Sequence, residues 1–129
     1  MSIWTHVVGC IRVDGVKSMG SHTDHVERIL GPQCTYDKWN DESTLPKGSE
    51  GGLQYRVIEY DDGLPWVAVP VWGDLRDYDD LDEIAAWFKK TLADIQTMGR
   101  SSFMLIRDAV LYVECEDGRS ITLKHEKSE

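Results

Sequence analysis

From Ile3 to Val13 the chain alternates, with Ile3, Val7, Ile11 and Val13 on one side and Trp4, His6, Val8, Cys10 and Arg12 on the other. Alternation rich in β-branched residues predicts a strand with one strongly apolar face. Asp14-Gly15 ends it. Ser21, with Asp24 three residues later, has the pattern of a helix N-cap. Val26, Ile29 and Leu30 then form a short helical stripe, and Gly31-Pro32 is a stop signal. Residues 33–52 are rich in Asp, Asn, Ser, Gly, Pro and Lys and read as one long loop. A connection of that length is either ordered for function or contains a short turn of helix.

Leu53 to Tyr60 reads as the second strand. Asp61-Asp62-Gly63 is a turn, and Trp66 to Trp72 is the third strand, so the two pair as a hairpin. Pro70 has no N–H to give a ladder and points to an edge position or a bulge. Asp80, with Glu83 at the third helical position reaching back, opens the strongest element. Leu81, Ile84, Ala85, Phe88, Leu92 and Ile95 recur at helical spacing, giving an amphipathic helix that ends near Gly99. Trp87 lies just off that stripe, as rim packing. Phe103 to Ile106, Ala109 to Cys115 and Ser120 to His125 then read as a meander. Its turns are Arg107-Asp108 and Glu116-Asp117-Gly118-Arg119, and Glu126 to Glu129 should fray.

The order β-α-β-β-α-β-β-β predicts an α+β fold. The expected form is a ferredoxin-like antiparallel sheet with two helices on one face, extra C-terminal strands and one long loop. Residues 1–129 suit a single domain, since about 100–150 residues is the commonest domain size.

Parity separates the tryptophans from the aliphatic residues. In the third strand Val67, Val69 and Val71 share one face, while Trp66, Ala68, Pro70 and Trp72 share the other. In the second, Leu53, Tyr55 and Val57 oppose Gln54, Arg56 and Ile58. If the aliphatic faces meet the helices, the opposite face carries the candidate binding residues Trp4, His6, Arg12, Arg56, Trp66 and Trp72. Aromatic residues with Arg are the composition of interaction hot spots, and the same mix can stack a base or hold a phosphate. Three uses stay open: cover by the long loop through Tyr36 and Trp39, contact with a protein partner or a second copy, or a small-ligand surface, with an anionic ligand the natural choice.

Charge narrows the partners. The 129 residues hold 23 acids against 14 Lys and Arg, a net of −9. Generic nucleic-acid binding and adhesion to an anionic membrane are disfavoured. The acidity is local: residues 59–83 hold nine acids and one base, Arg76. Within them Asp74, Asp77, Asp79 and Asp80 form a candidate acidic patch. Helix capping and solvation explain these side chains best. The alternatives are a patch facing a basic partner and a divalent-metal site, although no EF-hand spacing is present.

Other chemistry is sparse. His22 and His25 lie three apart with Cys34 nearest, which suggests zinc only faintly; two solvent-facing histidines are the preferred reading. Three cysteines at wide spacing do not make a disulfide framework and fit reduced thiols in a cytosol. Cys10 and Cys115 are expected to be buried and inert. No nucleophile motif, Walker loop or dinucleotide fingerprint occurs, and no catalytic residue, metal or cofactor is assigned. Gly48 to Gly52 suits either an anion-binding nest of amides or a flexible loop. No apolar run reaches the ~20 residues that span a bilayer. The N-terminal residues lack the basic and apolar regions of a signal peptide, so the expected location is cytoplasmic.

Three stretches carry a resemblance: Trp4 to Gly15, Leu45-Pro46-Lys47-Gly48-Ser49-Glu50-Gly51, and Gly73-Asp74-Leu75-Arg76-Asp77-Tyr78. The chain resembles small uncharacterised accessory proteins of phages and prophages of Gram-positive bacteria. The resemblance implies a protein of the host cytosol that acts without catalysis. It would bind a host protein or small signal, as a counter-defence inhibitor does. A small divalent-metal-dependent enzyme using the acidic segment, and a structural or assembly component of the phage particle, are the alternatives.

Overall fold

The computed structural model describes residues 2–14, 22–31, 45–59, 66–102 and 105–125. They form β1 (Trp4–Asp14), α1 (His22–Leu30), β2 (Gln54–Tyr55), β3 (Ile58–Glu59), β4 (Trp66–Arg76), α2 (Leu81–Ser102), β5 (Leu105–Cys115) and β6 (Ser120–Lys124). The fold is α+β, with two helices and a six-stranded sheet in the order β2-β4-β1-β5-β6, β3 also pairing with β4. Every strand pairing among the described residues is antiparallel. Ser21, Cys34, Tyr36, Trp39, the Asp61-Asp62-Gly63 turn and the tail 126–129 lie outside the described residues.

One face of the sheet and both helices share a single core. Val7, Ile11 and Val13 of β1, Val67, Val69, Val71 and Leu75 of β4, and Ala109, Leu111 and Val113 of β5 are buried with Val26 and Leu30 of α1 and Ile84, Phe88 and Ile95 of α2. The β1–β4 and β1–β5 registers place these side chains on one face, because opposed residues in an antiparallel pair point the same way. Ile3, expected to share that face, precedes β1 and is exposed. Trp87 packs half-buried at the rim.

The helix ends follow local chemistry. The Asp80 carboxylate accepts from the Glu83 N–H at 3.0 Å, the N-cap bond expected for α2. At the end of α1, Gly31 sits at φ +86° and its N–H donates to the Glu27 carbonyl, which closes the helix in a conformation that favours glycine. The N-terminus of α1 is capped from the sheet. Glu59 of β3 accepts from the His22 N–H and the Thr23 hydroxyl, both at 3.2 Å.

Several sequence expectations need correction. The stretch from Leu105 to Cys115 is one strand, not two joined by a turn. Arg107 is the extra residue of a β-bulge, since Val13 pairs with Ile106 while Arg12 pairs with Asp108. The bulge switches the inward parity, so Ile106 and Ala109 both face the core, and the break in alternation resembles a turn. Pro70 lies in an interior strand, not at an edge. Its carbonyl accepts from the Arg56 N–H at 3.2 Å, so the donor that proline lacks points toward β2 and β3. That missing bond coincides with the break between them: the expected strand over Leu53 to Tyr60 is two pieces of two residues.

Of the long loop 33–52, residues 45–52 are described, and they are ordered. Residues 45–52 make a tight bracket on β4, with Lys47 bridged to Gly52 and Leu45 buried. The Ser49 N–H donates to the Arg76 carbonyl and the Arg76 N–H to the Glu50 carbonyl. Gly48 faces the Arg76 backbone and Gly51 the Asp74 carbonyl too closely for a Cβ. The Gly48 and Ser49 amides are thus spent on protein carbonyls, and these two cannot serve an anion nest. Finally, His22 and His25 are buried, not solvent-facing. The α1 stripe turns both histidines inward together with Val26.

Candidate binding face

The sheet face opposite the helices gathers the residues that parity assigned to it. Along β1 it shows Trp4, His6, Val8, Cys10 and Arg12; along β4, Trp66, Ala68, Pro70, Trp72 and Asp74; along β5, Asp108, Val110, Tyr112 and Glu114. Gln54 opposes Trp72 and Ile58 opposes Ala68. Arg56 lies between them, bonded to Pro70. All six candidate binding residues therefore lie on this one face.

They do not form one cluster. The centre of the face is a cross-strand row in which Trp72 opposes Val8 and Val8 opposes Tyr112. These side chains are 37%, 59% and 39% exposed, and Val110 beside them is 40% exposed. Trp72 is the one candidate tryptophan in this row. Trp66 sits at a far corner, opposite Asp14. Arg107, lifted from the ladder by the bulge, stacks its guanidinium 5.8 Å from the Trp66 ring and pairs with Asp14 at 3.1 Å. Trp4 is at the opposite end, its N–H donating to Glu116 at 3.0 Å. Arg12 lies between Ala68 and Asp108. Val8, Val110 and Tyr112 were not singled out as site residues, although β5 parity assigns Val110 and Tyr112 to this face.

At one margin His6 bridges two carboxylates. Its Nδ1 lies 2.5 Å from Asp74 and its Nε2 3.4 Å from Glu116. The Asp74 hydrogen bond raises the His6 pKa above its ordinary 6.5; partial burial opposes that and Glu116 adds to it. His25 goes the other way, lowered mainly by burial and then by Arg28 and His22. Among the described residues neither His22 ring nitrogen makes an aligned hydrogen bond, although Nδ1 lies 3.3 Å from Glu59.

These shifts have opposite consequences for stability. A histidine raised in the folded state contributes stability that is full below its unfolded pKa and fades as pH rises through the folded value. A lowered one contributes stability at neutral pH that is lost as pH falls through its folded value. A proton NMR titration should therefore show His6 titrating above 6.5 and His25 below it. Asp74→Asn should bring His6 back toward 6.5. A His6 midpoint unmoved by that change would contradict the assigned pairing.

The acidic candidates have separate structural partners. Asp80 caps α2. Asp77, at φ 55°, accepts from the Ser49 hydroxyl at 2.7 Å. Asp79 gives its carbonyl to Arg119 at 2.9 Å, and Asp74 holds His6. Asp77 and Asp79 flank Tyr78, whose hydroxyl is buried. Burial, with Glu83 and Asp80 nearby, raises the Tyr78 pKa. Among the described residues no group of three or more His, Cys, Asp or Glu side chains is placed to hold a metal ion.

Cys115 is buried, whereas Cys10, expected to be buried as well, is only half-covered on the open face. Desolvation still raises its thiol pKa, against weaker lowering by the Val69 backbone and Arg12, so it is a poor nucleophile at neutral pH. No helix among the described residues is long and apolar enough to cross a membrane. The chain matches no protein-family model, no curated protein and no solved structure.

Proposed function

We propose that this protein is a non-catalytic binding module of the host cytosol that docks a host protein on its open sheet face, as an accessory or counter-defence protein of a phage or prophage. The supporting observation is the exposed row Trp72, Val8 and Tyr112, with Val110 beside it. Exposed apolar residues scattered singly need no explanation, but a contiguous aromatic and aliphatic row on one face marks an interaction surface. A sheet face is broad, which suits a protein partner better than a small ligand that a concave pocket would enclose. Arg56 beside Pro70, and Arg12 further along β1, add the polar, orienting contacts typical of such surfaces.

The phage assignment draws on the resemblance of Trp4 to Gly15, Leu45 to Gly51 and Gly73 to Tyr78. A ferredoxin-like arrangement is supported by the strand order, with β4 and β5 on either side of β1 and the first helix leading to the edge pieces β2 and β3. In that arrangement β6 is an addition at the far edge.

The test is capture from a Gram-positive host lysate, with three baits compared: wild type, Trp72→Arg and Asp79→Lys. A host protein retained by wild type and Asp79→Lys but lost from Trp72→Arg supports the proposal. Retention of the same proteins by folded Trp72→Arg would refute it, because a charged side chain in place of the row's tryptophan should abolish docking there.

A further inference from the structure

The two edges of the sheet are built differently. At one edge β2 and β3 are short pieces, interrupted where Pro70 has no N–H to offer. Short, broken edge strands resist pairing with another chain. At the other edge β6 runs unbroken from Ser120 to Lys124, without proline or bulge. Among the described residues no strand pairs with its outer side.

The β5–β6 register shows which groups that side offers. His125 donates to the Ala109 carbonyl and Cys115 to the Arg119 carbonyl. In an antiparallel ladder bonded and non-bonded pairs alternate. Ile121 and Leu123 therefore bond to β5, while Ser120, Thr122 and Lys124 turn their N–H and C=O groups outward.

We propose that β6 is a homodimer edge: a second copy of this chain pairs its own β6 antiparallel about a two-fold axis at Thr122. In that register Thr122 faces its counterpart and Ser120 faces Lys124 of the second copy, so the outward groups of all three residues are satisfied. Beneath them, on the helix side, half-buried Ile121 meets half-buried Leu123 of the second copy, and the reverse. A two-fold contact needs such a self-complementary strand.

Charge agrees with the register. Residues 119–125 carry Arg119 and Lys124 and no acid, in a chain of net charge −9. Glu114 is exposed and opposes Ser120 on the outer face. The pairing brings Lys124 of the second copy to the far side of that small serine, about 10 Å from Glu114 at strand spacing. Two long side chains span that gap, and the symmetry makes the pair twice.

The helices leave room. α2 packs mainly on β5 and only lightly on β6. A groove of about 380 Å³ lies between α2 and the end of β6, lined by Lys89, Leu92, Ala93, Gln96, Lys124 and His125. Helices resting over β5 in the two copies would lie about 14 Å apart, beyond the 8–10 Å of closest helix packing. The pairing also joins the two exposed Tyr112 rows into one surface through Thr122, so the dimer would present the open face in duplicate.

Light scattering after size exclusion tests the dimer. Wild type should run at twice the 14.7 kDa chain mass at high concentration and dissociate on dilution. Thr122→Pro removes a donor that serves only the partner and leaves the β5–β6 bonds intact. It should raise the dimer Kd roughly 100-fold, since each copy loses a main-chain bond. Lys124→Glu, an exposed substitution safe for folding, should weaken association about tenfold, and adding Glu114→Lys should restore it. Circular dichroism melts establish that each variant folds. A wild type that stays monomeric at every concentration overturns the proposal. So does a dimer whose Kd is unchanged in folded Thr122→Pro and in Lys124→Glu. Neither outcome bears on docking at Trp72, which its own variant reports.

Discussion

Phe88→Ala is expected to lower the unfolding free energy by about 3–5 kcal/mol, the range for removing a large aromatic side chain from a core. Phe88 is 1% exposed and is among the largest fully buried side chains of the protein. It lies on α2 one turn from Ile84 and Leu92, both part of the same core as the buried sheet face. Trp87, the preceding residue, is half-buried at the rim with its ring centroid 6.3 Å away. Domains hold only about 5–15 kcal/mol in all, so the variant should be near the limit of folding. Urea denaturation checks this: the midpoint should fall with the slope unchanged. Phe88→Leu, which keeps most of the volume, should cost less than about 1.5 kcal/mol. A loss for Phe88→Ala as small as that expected for Phe88→Leu would mean that the site tolerates a cavity, contrary to its burial.

Gly9→Ala is expected to cost about 3 kcal/mol, the upper part of the range for overpacking. Gly9 lies in β1, the central strand, opposite Val71 of β4 and Leu111 of β5. A Cβ there would overlap the Val110 carbonyl oxygen and come within 2.8 Å of Leu111 Cα and Leu111 Cδ1. The first two are backbone atoms of a strand paired on both sides, so relief requires the sheet to open. Gly73→Ala is the comparison. Its Cβ would meet the Gly52 carbonyl oxygen at 2.5 Å and Leu53 Cα at 3.0 Å. Those atoms belong to the bracket and edge, which can shift without moving a central strand. Thermal or denaturant unfolding should rank Gly9→Ala as clearly the more damaging; the reverse order would contradict the assigned strand positions.

Neither Gly9 nor Gly73 stands out in the sequence. A glycine in an alternating run reads only as a weak strand position, and its necessity appears when two backbones are seen to converge. The bulge at Arg107 was hidden for a related reason. Its extra residue shifts parity, and a parity shift in a one-dimensional pattern looks like a turn. Edge status was hidden too. Pro70 announces a missing donor, but whether that donor points at an edge or at a neighbour depends on strand order. His22 and His25 are buried although polarity alone suggests solvent. Their burial follows from α1 turning the same side of its helix inward as Val26, with Glu59 arriving from β3 to cap the helix.

Sequence alone determined the alternation that divides the sheet into an aliphatic and an aromatic face, the amphipathic α2 with its Asp80 cap, and the Gly31 stop. Each depends on residues within a few positions of one another, where propensity and periodicity act directly. It also put Trp4, His6, Arg12, Arg56, Trp66 and Trp72 on a common face, because parity survives any strand order. Tertiary structure decided how those residues divide. Trp72 joins Val8 and Tyr112 in one row, Arg107 covers Trp66, and Asp74 draws His6 to a margin. It likewise assigned Asp77, Asp79 and Asp80 to separate partners and set β6 at the end of the strand order. Those outcomes depend on which distant segments become neighbours, and that is set by packing the whole sheet against both helices.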